Sequence, residues 1–197
     1  MEARIQPIGN FDVLIVESPI HEDDRGYFLE IFHKNYFDHG VHQSLKFVQD
    51  NLSFSRRNVL RGLHYQLRYP QGKLIQVIRG EIFNVCVDLR KYSSQYGMHV
   101  HIRLSATQLL WVPPGYANGH LVLSEDAHVI YKLTNYYHPE DEHVLRWNDQ
   151  QLGIEWPLPK EEPPILSEKD QNGLPLDEIP KYEIPIYPGI DGKRSAK

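Results

Sequence analysis

The feature that most constrains this chain is a succession of short apolar runs separated at close intervals by turn signals. DVLIVESPI, SLKFVQDNLSFS, VLRGLHYQ, KLIQVI, GEIFNVCVDLR, MHVHIRLSA, LLWVPPGYANGHLVLS and AHVIYKLTNYY follow one another, with Gly, Pro, Asn or Asp between or within them. Many alternate apolar and polar residues, the period of a half-buried strand. HEDDRGYFLEIF adds a turn at Asp23-Asp24-Arg25-Gly26 and an aromatic strand, and NYFDHGV reads as a short helix ending at Gly40. Short strands at this spacing, with little helix, mean an all-β barrel or sandwich.

Within that frame, Asn58 to Gly80 gathers the most chemistry. Arg61, His64 and Lys73 lie close together in NVLRGLHYQLRYPQGKLIQVIRG, which reads as strand, loop, strand. Simple alternation turns Arg61, Leu63 and Tyr65 one way and Leu60, Gly62, His64 and Gln66 the other. A histidine inside a barrel with a lysine nearby is a base beside a cation. A satisfied core histidine would leave the same pattern, and the residues alone leave both readings open.

Composition narrows the partners. A formal net charge of -5 leaves no basic footprint for nucleic acid. Hydrophobic content of 41% and charged content of 24% suit a globular protein. The one cysteine, Cys86, sits in the apolar run IFNVCVDL and reads as an inert buried thiol. No apolar run approaches a membrane span and the first residues lack a signal-peptide core, so the expected location is the cytoplasm, with no membrane partner. From about Trp156 the chain turns proline-rich and charged, which predicts a tail wrapping the barrel, its last stretch GKRSAK disordered. The expected division is a domain over residues 1–170 and a partly flexible C-terminal extension over residues 171–197.

The 11 histidines raise the question of metal. A metal site needs imidazoles and a carboxylate converging on one point. His99 and His101 share a strand face without a suitably spaced carboxylate, and His21, His33, His39 and His42 sit in polar, turn-like contexts. Asn118, in PPGYANGH, is a neutral amide and a poor ligand. The expectation is no metal and no cofactor. Another chemistry fits better: removing a proton from carbon beside a ketone needs a base and a cation for the enolate oxygen. His64 suits the first task and Lys73 or Arg61 the second. Tyr131, in VIYKLTNYY, is a candidate proton donor on the opposite face, although a core tyrosine would look the same.

DDRGYFLE, FVQDNLS, NVLRGLHYQ, QGKLIQVIRGEIFNVCVDLR, LLWVPPGYANGHLVLS, YKLTNYY and WNDQQLGIEWP occur in order, and together they resemble the RmlC family, the dTDP-4-dehydrorhamnose 3,5-epimerases, of cupin (jelly-roll) fold. The resemblance runs from about DVLIVE to LSEKD, most of the chain. It implies His64 as the catalytic base, Asp170 as its carboxylate partner, Lys73 facing the enolate oxygen and Tyr131 as the opposing acid. It also implies Arg61 on the diphosphate and Tyr136 against the nucleotide. The family's first strands reach into a neighbouring subunit, so a homodimer is expected in which Arg25, Phe28, Glu30, Gln49 and Asn51 line a site built from two chains.

One departure stands out. The family turn reads GFAHG, whereas this chain has Gly115-Tyr116-Ala117-Asn118-Gly119-His120. Asn118 takes the histidine's place, and His120 lies on the same strand face about 6.6 Å further on. Both are candidate substrate contacts, and the change predicts an altered substrate. The expected function is inversion at C3, C5 or both of a nucleotide-linked 4-keto-6-deoxy sugar. The alternatives are a GDP-linked 4-keto-heptose epimerase, a 3,4-ketoisomerase of similar fold, and a noncatalytic sugar-binding cupin.

Overall fold

The computed structural model describes residues 3–41, 43–160 and 162–179; the expected disorder of GKRSAK, and His42, lie outside them. In chain order the strands are β1 (Arg4–Pro7), β2 (Leu14–Glu17), β3 (Ile20–Asp23), β4 (Gly26–Leu29), β5 (Gln49–Arg56), β6 (Leu60–Gln66), β7 (Lys73–Arg79), β8 (Ile82–Asp88), β9 (His99–Leu104), β10 (Gln108–Val112), β11 (Tyr116–Val122), β12 (Asp126–Leu133) and β13 (Glu142–Val144). Two short helices, α1 (Lys34–Gly40) and α2 (Glu168–Gln171), accompany them. Antiparallel pairing gives a six-stranded sheet, β1-β2-β10-β7-β12-β5, and a five-stranded sheet, β13-β6-β11-β8-β9. β3 and β4 form a separate hairpin. The protein is an all-β jelly roll of cupin type, as the sequence leads one to expect.

Three apolar layers explain why so many strands lose clean alternation. Ile75, Val77, Ile82, Cys86, Leu110, Val122 and Val129 fill the space between the sheets. Phe37 and Val41, at the end of α1, pack on the outer face of the larger sheet against Leu14, Val16, Leu109 and Trp111. The segment after β13 covers the outer face of the smaller sheet, setting Leu145, Leu152, Leu176 and Ile179 against Leu63, Phe83, Val85 and Leu121. A strand covered on both faces carries apolar residues at every position, and β8 is buried throughout. At roughly 2 kcal/mol for each buried aliphatic side chain, those four residues hold the C-terminal segment down firmly.

β6 does not alternate as its sequence suggests. On β11, Asn118 pairs with His64 and His120 with Arg61, so three steps along β6 oppose two along β11. Directly paired residues share a face, and so do residues two apart on a strand. Arg61 and His64 therefore face the same way, which corrects the expected opposition between them. The extra residue is a β-bulge at Gly62 and Leu63, joined by a cis peptide bond. Gly62 has φ +119, and a Cβ there would lie 2.6 Å from the Gly119 Cα. Only glycine permits that approach between β6 and β11.

Candidate active site

His64, at the centre of the bulged strand, is the hub of a polar cluster in the mouth of the barrel. Its Nε2 hydrogen-bonds Asp170 Oδ1 at 2.5 Å across 106 residues of sequence. Asp170 comes from α2, whose start is capped by the Ser167 hydroxyl accepting from the Asp170 amide at 3.2 Å. Backbone bridges tie the chain to the barrel on either side of α2. Ile165 pairs with Val59 just before β6, and Leu174 pairs with Leu145 just after β13. The carboxylate is thus fixed by main-chain hydrogen bonds and not by its own side chain alone. Burial would raise the Asp170 carboxyl, but the hydrogen bond to His64, the charge of that ring, the Ser167 cap and the Lys169 ammonium hold it below the usual carboxylate range.

The other imidazole nitrogen, Nδ1, has Glu142 Oε1 at 3.7 Å. Glu142 begins β13, accepts a hydrogen bond from the Tyr137 hydroxyl at 2.8 Å, and pairs with Lys169. Burial opposes its ionisation, yet Lys169, His64 and Tyr137 keep its carboxyl low. Glu142 was not singled out from the sequence: it lies in PEDEH, where an acidic run on a loop carries no spacing signal.

Lys73 opens β7 and is half-buried, its Nζ donating to the His64 carbonyl at 3.3 Å. Burial lowers its ammonium to about 8, a fall that the charge of Glu142 partly offsets. Tyr131, on β12, shares the inner face with Lys73 through the register Tyr131↔Ile75 and Leu133↔Lys73. Burial pushes its phenol up to about 12, against the Ser53 hydroxyl at 3.5 Å and the charge of Arg61. His120 lies beside it, Nδ1 to the Tyr131 hydroxyl 3.3 Å, and burial together with the charges of Arg61, His64 and Lys73 lowers that imidazole to about 3. Arg61 is exposed and donates to Ser55 Oγ at 2.9 Å and the Phe54 carbonyl at 3.3 Å.

Asn118 pairs directly with His64 and shares its face. Asn118 is 5% exposed, and its amide nitrogen is committed to Asn84 Oδ1 (2.8 Å), the Val85 carbonyl (3.0 Å) and Cys86 Sγ (3.4 Å). These contacts engage its NH2 group inside the barrel. Gln49 and Asn51, on β5, hydrogen-bond each other at 2.9 Å, and Gln49 also accepts from the Tyr137 amide. Tyr136 is 59% exposed. Arg25, Phe28 and Glu30 belong to the exposed β3–β4 hairpin and its end, where Arg25 pairs with Asp23. The side-chain partners of His64 are Asp170 and Glu142 instead. Among the described residues no group of three His, Cys, Asp or Glu side chains could hold a metal ion.

A base held by a carboxylate, a lysine with a lowered pKa and a half-buried phenol on the facing sheet can remove and return protons at carbon. Comparison with known proteins points the same way. Residues 10–178 match the profile of the family described as dTDP-4-dehydrorhamnose 3,5-epimerase. The enzyme of that name from Methanothermobacter thermautotrophicus is 48% identical over 86% of this chain and 92% of its own length. The one from Pseudomonas aeruginosa is 47% identical over 82% and 90%. The crystal structure of the Legionella pneumophila dTDP-6-deoxy-D-glucose-3,5-epimerase RmlC, in complex with dTDP-4-keto-L-rhamnose, superposes with a TM-score of 0.89 at 40% identity, covering 94% of this chain and 99% of that one.

Proposed function

The chain belongs to the dTDP-4-dehydrorhamnose 3,5-epimerase family, and from that premise we propose that it inverts C3 and C5 of a dTDP-linked 4-keto-6-deoxyhexose. The observation that carries the reading is the His64–Asp170 pair, made by residues 106 apart in sequence. Asp170 accepts the proton of one ring nitrogen and so leaves the other as the base. The 4-keto group acidifies the hydrogens at C3 and C5. His64 takes one of them, the electron pair moves onto the carbonyl oxygen, and the Lys73 ammonium stabilises that enolate. Tyr131 then gives its proton to the same carbon from the other side, which inverts it. Arg61, which is exposed, fits the diphosphate, since its guanidinium is held in the single chain by two neutral acceptors, Ser55 Oγ and the Phe54 carbonyl. Tyr136 offers an exposed ring to the base.

The dTDP-linked hexose is preferred over a GDP-linked heptose because the named relatives act on dTDP sugars, and because the Asn118 amide nitrogen is turned to the interior. The reading also includes a homodimer. β5 is an edge of the larger sheet. It exposes Leu52 (65%) and Phe54 (51%), and the hairpin exposes Tyr27 and Phe28. Apolar residues grouped on an edge and an outlying hairpin suit a partner subunit, whose site Arg25, Phe28 and Glu30 would complete beside Gln49 and Asn51. Among the described residues no helix is long and apolar enough to cross a membrane, and the lone buried Cys86 fits a reducing compartment such as the cytoplasm.

The test is incubation with dTDP-4-keto-6-deoxyglucose in deuterated water, followed by NMR. Deuterium at C3 and C5 with inversion at both is expected. Binding without exchange would sink the reading, and carbonyl migration would replace it with a ketoisomerase.

A further inference from the structure

Inside the barrel, Asn84 of β8, His120 of β11 and Tyr131 of β12 lie across three strands. His120 is directly paired with Asn84 in the β8–β11 register, so both side chains project from the same face. Asn84 is 0% and His120 2% exposed. Among the described residues, the Asn84 amide nitrogen and His120 Nε2 are the buried side-chain polar atoms left without a hydrogen-bond partner. Two orphans on directly paired residues are unusual, since buried polar groups are nearly always satisfied. The Asn84 carbonyl is engaged by Asn118, so its NH2 group is free, and that group can only donate. The other ring nitrogen of His120 already faces the Tyr131 hydroxyl at 3.3 Å.

We propose that His120 is the positioning partner of Tyr131: the neighbouring Asn84 amide can only donate, which favours an unprotonated Nε2 and leaves the ring's proton on Nδ1, from which it is donated to the tyrosine oxygen. This rests on Tyr131 being the acid of the proposed reaction. As Tyr131 transfers its proton to the enolate carbon, the O–H bond breaks and the C–H bond forms. The phenolate left behind accepts hydrogen bonds from His120 Nδ1–H and the Ser53 hydroxyl, which lies at 3.5 Å. No proton passes to or from His120. Its burial and its cationic neighbours keep the ring neutral, and a neutral imidazole can donate to an oxyanion without being a competing acid. At the end of each inversion His64 holds one extra proton and Tyr131 lacks one, and exchange with water resets both. The tautomer matters: with the proton on Nε2, His120 would accept from the phenol and oppose its ionisation.

The experiment compares deuterium exchange with inversion of dTDP-4-keto-6-deoxyglucose in deuterated water. Exchange needs only His64, which can return a proton to the face it left. Inversion needs Tyr131. His120→Phe keeps the ring's bulk and should lower the ratio of inversion to exchange on the order of 10²-fold, the effect of removing one oxyanion donor. Asn84→Asp, which puts an acceptor where that donor stands and reverses the tautomer, should lower the same ratio. In a Tyr131→Phe background His120→Phe should add nothing. Equal losses of exchange and inversion, or an unchanged ratio, would overturn the proposal. If both variants fold poorly, 15N NMR of the unmodified, histidine-labelled protein decides it, because His120 protonated at Nε2 refutes the assignment. Inversion surviving in Tyr131→Phe would instead remove the reading beneath it.

Discussion

Burial brings the Lys73 ammonium from 10.5 down to about 8, so its charge is lost within the range in which an epimerase can be assayed. About nine-tenths of the free enzyme carries that charge at pH 7 and about one-tenth at pH 9, if the group titrates alone. If the charge stabilises the enolate, kcat/KM for inversion should fall about tenfold between those values, with an apparent pKa of about 8. The assay is initial-rate NMR of dTDP-4-keto-6-deoxyglucose from pH 6 to 10, corrected for spontaneous exchange. Lys73→Arg keeps a cation that does not titrate and should be slower but without the alkaline limb. A wild-type profile flat to pH 9.5, or a limb that persists in Lys73→Arg, would refute the reasoning. The shift also bears on stability. Between about 8 and 10.5 the unfolded chain binds this proton more tightly than the folded one, so the contribution of Lys73 is unfavourable below 8 and is relieved as pH rises to 10.5. The gap of about 2.5 pH units, at about 1.4 kcal/mol each, amounts to roughly 3 kcal/mol at neutral pH. Lys73→Met should therefore be inactive yet more stable to urea at pH 7 by up to about that amount.

Asp170→Asn should lower kcat for both exchange and inversion on the order of 10²-fold or more while leaving far-UV circular dichroism unchanged, because an amide cannot hold the imidazolium as a carboxylate does. Full activity after exhaustive chelation is expected, and loss restored by iron or zinc would contradict the metal-free scheme. Gly62→Ala meets the Gly119 Cα at 2.6 Å in a left-handed backbone and should cost more than about 1 kcal/mol in chemical denaturation, with activity falling alongside. If the proposed dimer forms through β5, Leu52→Glu with Phe54→Glu should convert it to monomers in sedimentation equilibrium; a dimer mass unchanged by the charges, or a monomeric unmodified protein, would overturn that contact.

The strand succession was legible because alternation and turn residues are local signals, and every run singled out contributes a strand. β1 and β13 escaped notice for the opposite reason: RIQP and EHV are too short and polar to show a period. The bulge in β6 left only Gly62 as a trace, and a single glycine does not say that the faces of Arg61 and His64 will coincide. Asp170 came from family resemblance and not from spacing, although Ser167 three residues ahead of it is a helix-capping pattern that could have located α2. Glu142 had no such marker, because its importance comes from β13 pairing beside His64 and from Lys169 on the docked segment. The contrast between Asn118 and His120 was visible as a two-residue displacement. Which of them meets Tyr131 depended on contacts within the barrel that only the folded chain supplies.

The docking of α2 also has a consequence in time. A ribosome delivers His64 with the barrel strands, but its carboxylate arrives 106 residues later, on a segment tied down by Ile165 against Val59 and by Leu174 against Leu145. A growing chain can therefore close its barrel well before it owns a competent base. Removing the chain from Ile165 onward would return the finished protein to that juvenile condition, with Arg61, Lys73 and Tyr131 in place but no Asp170 carboxylate against His64.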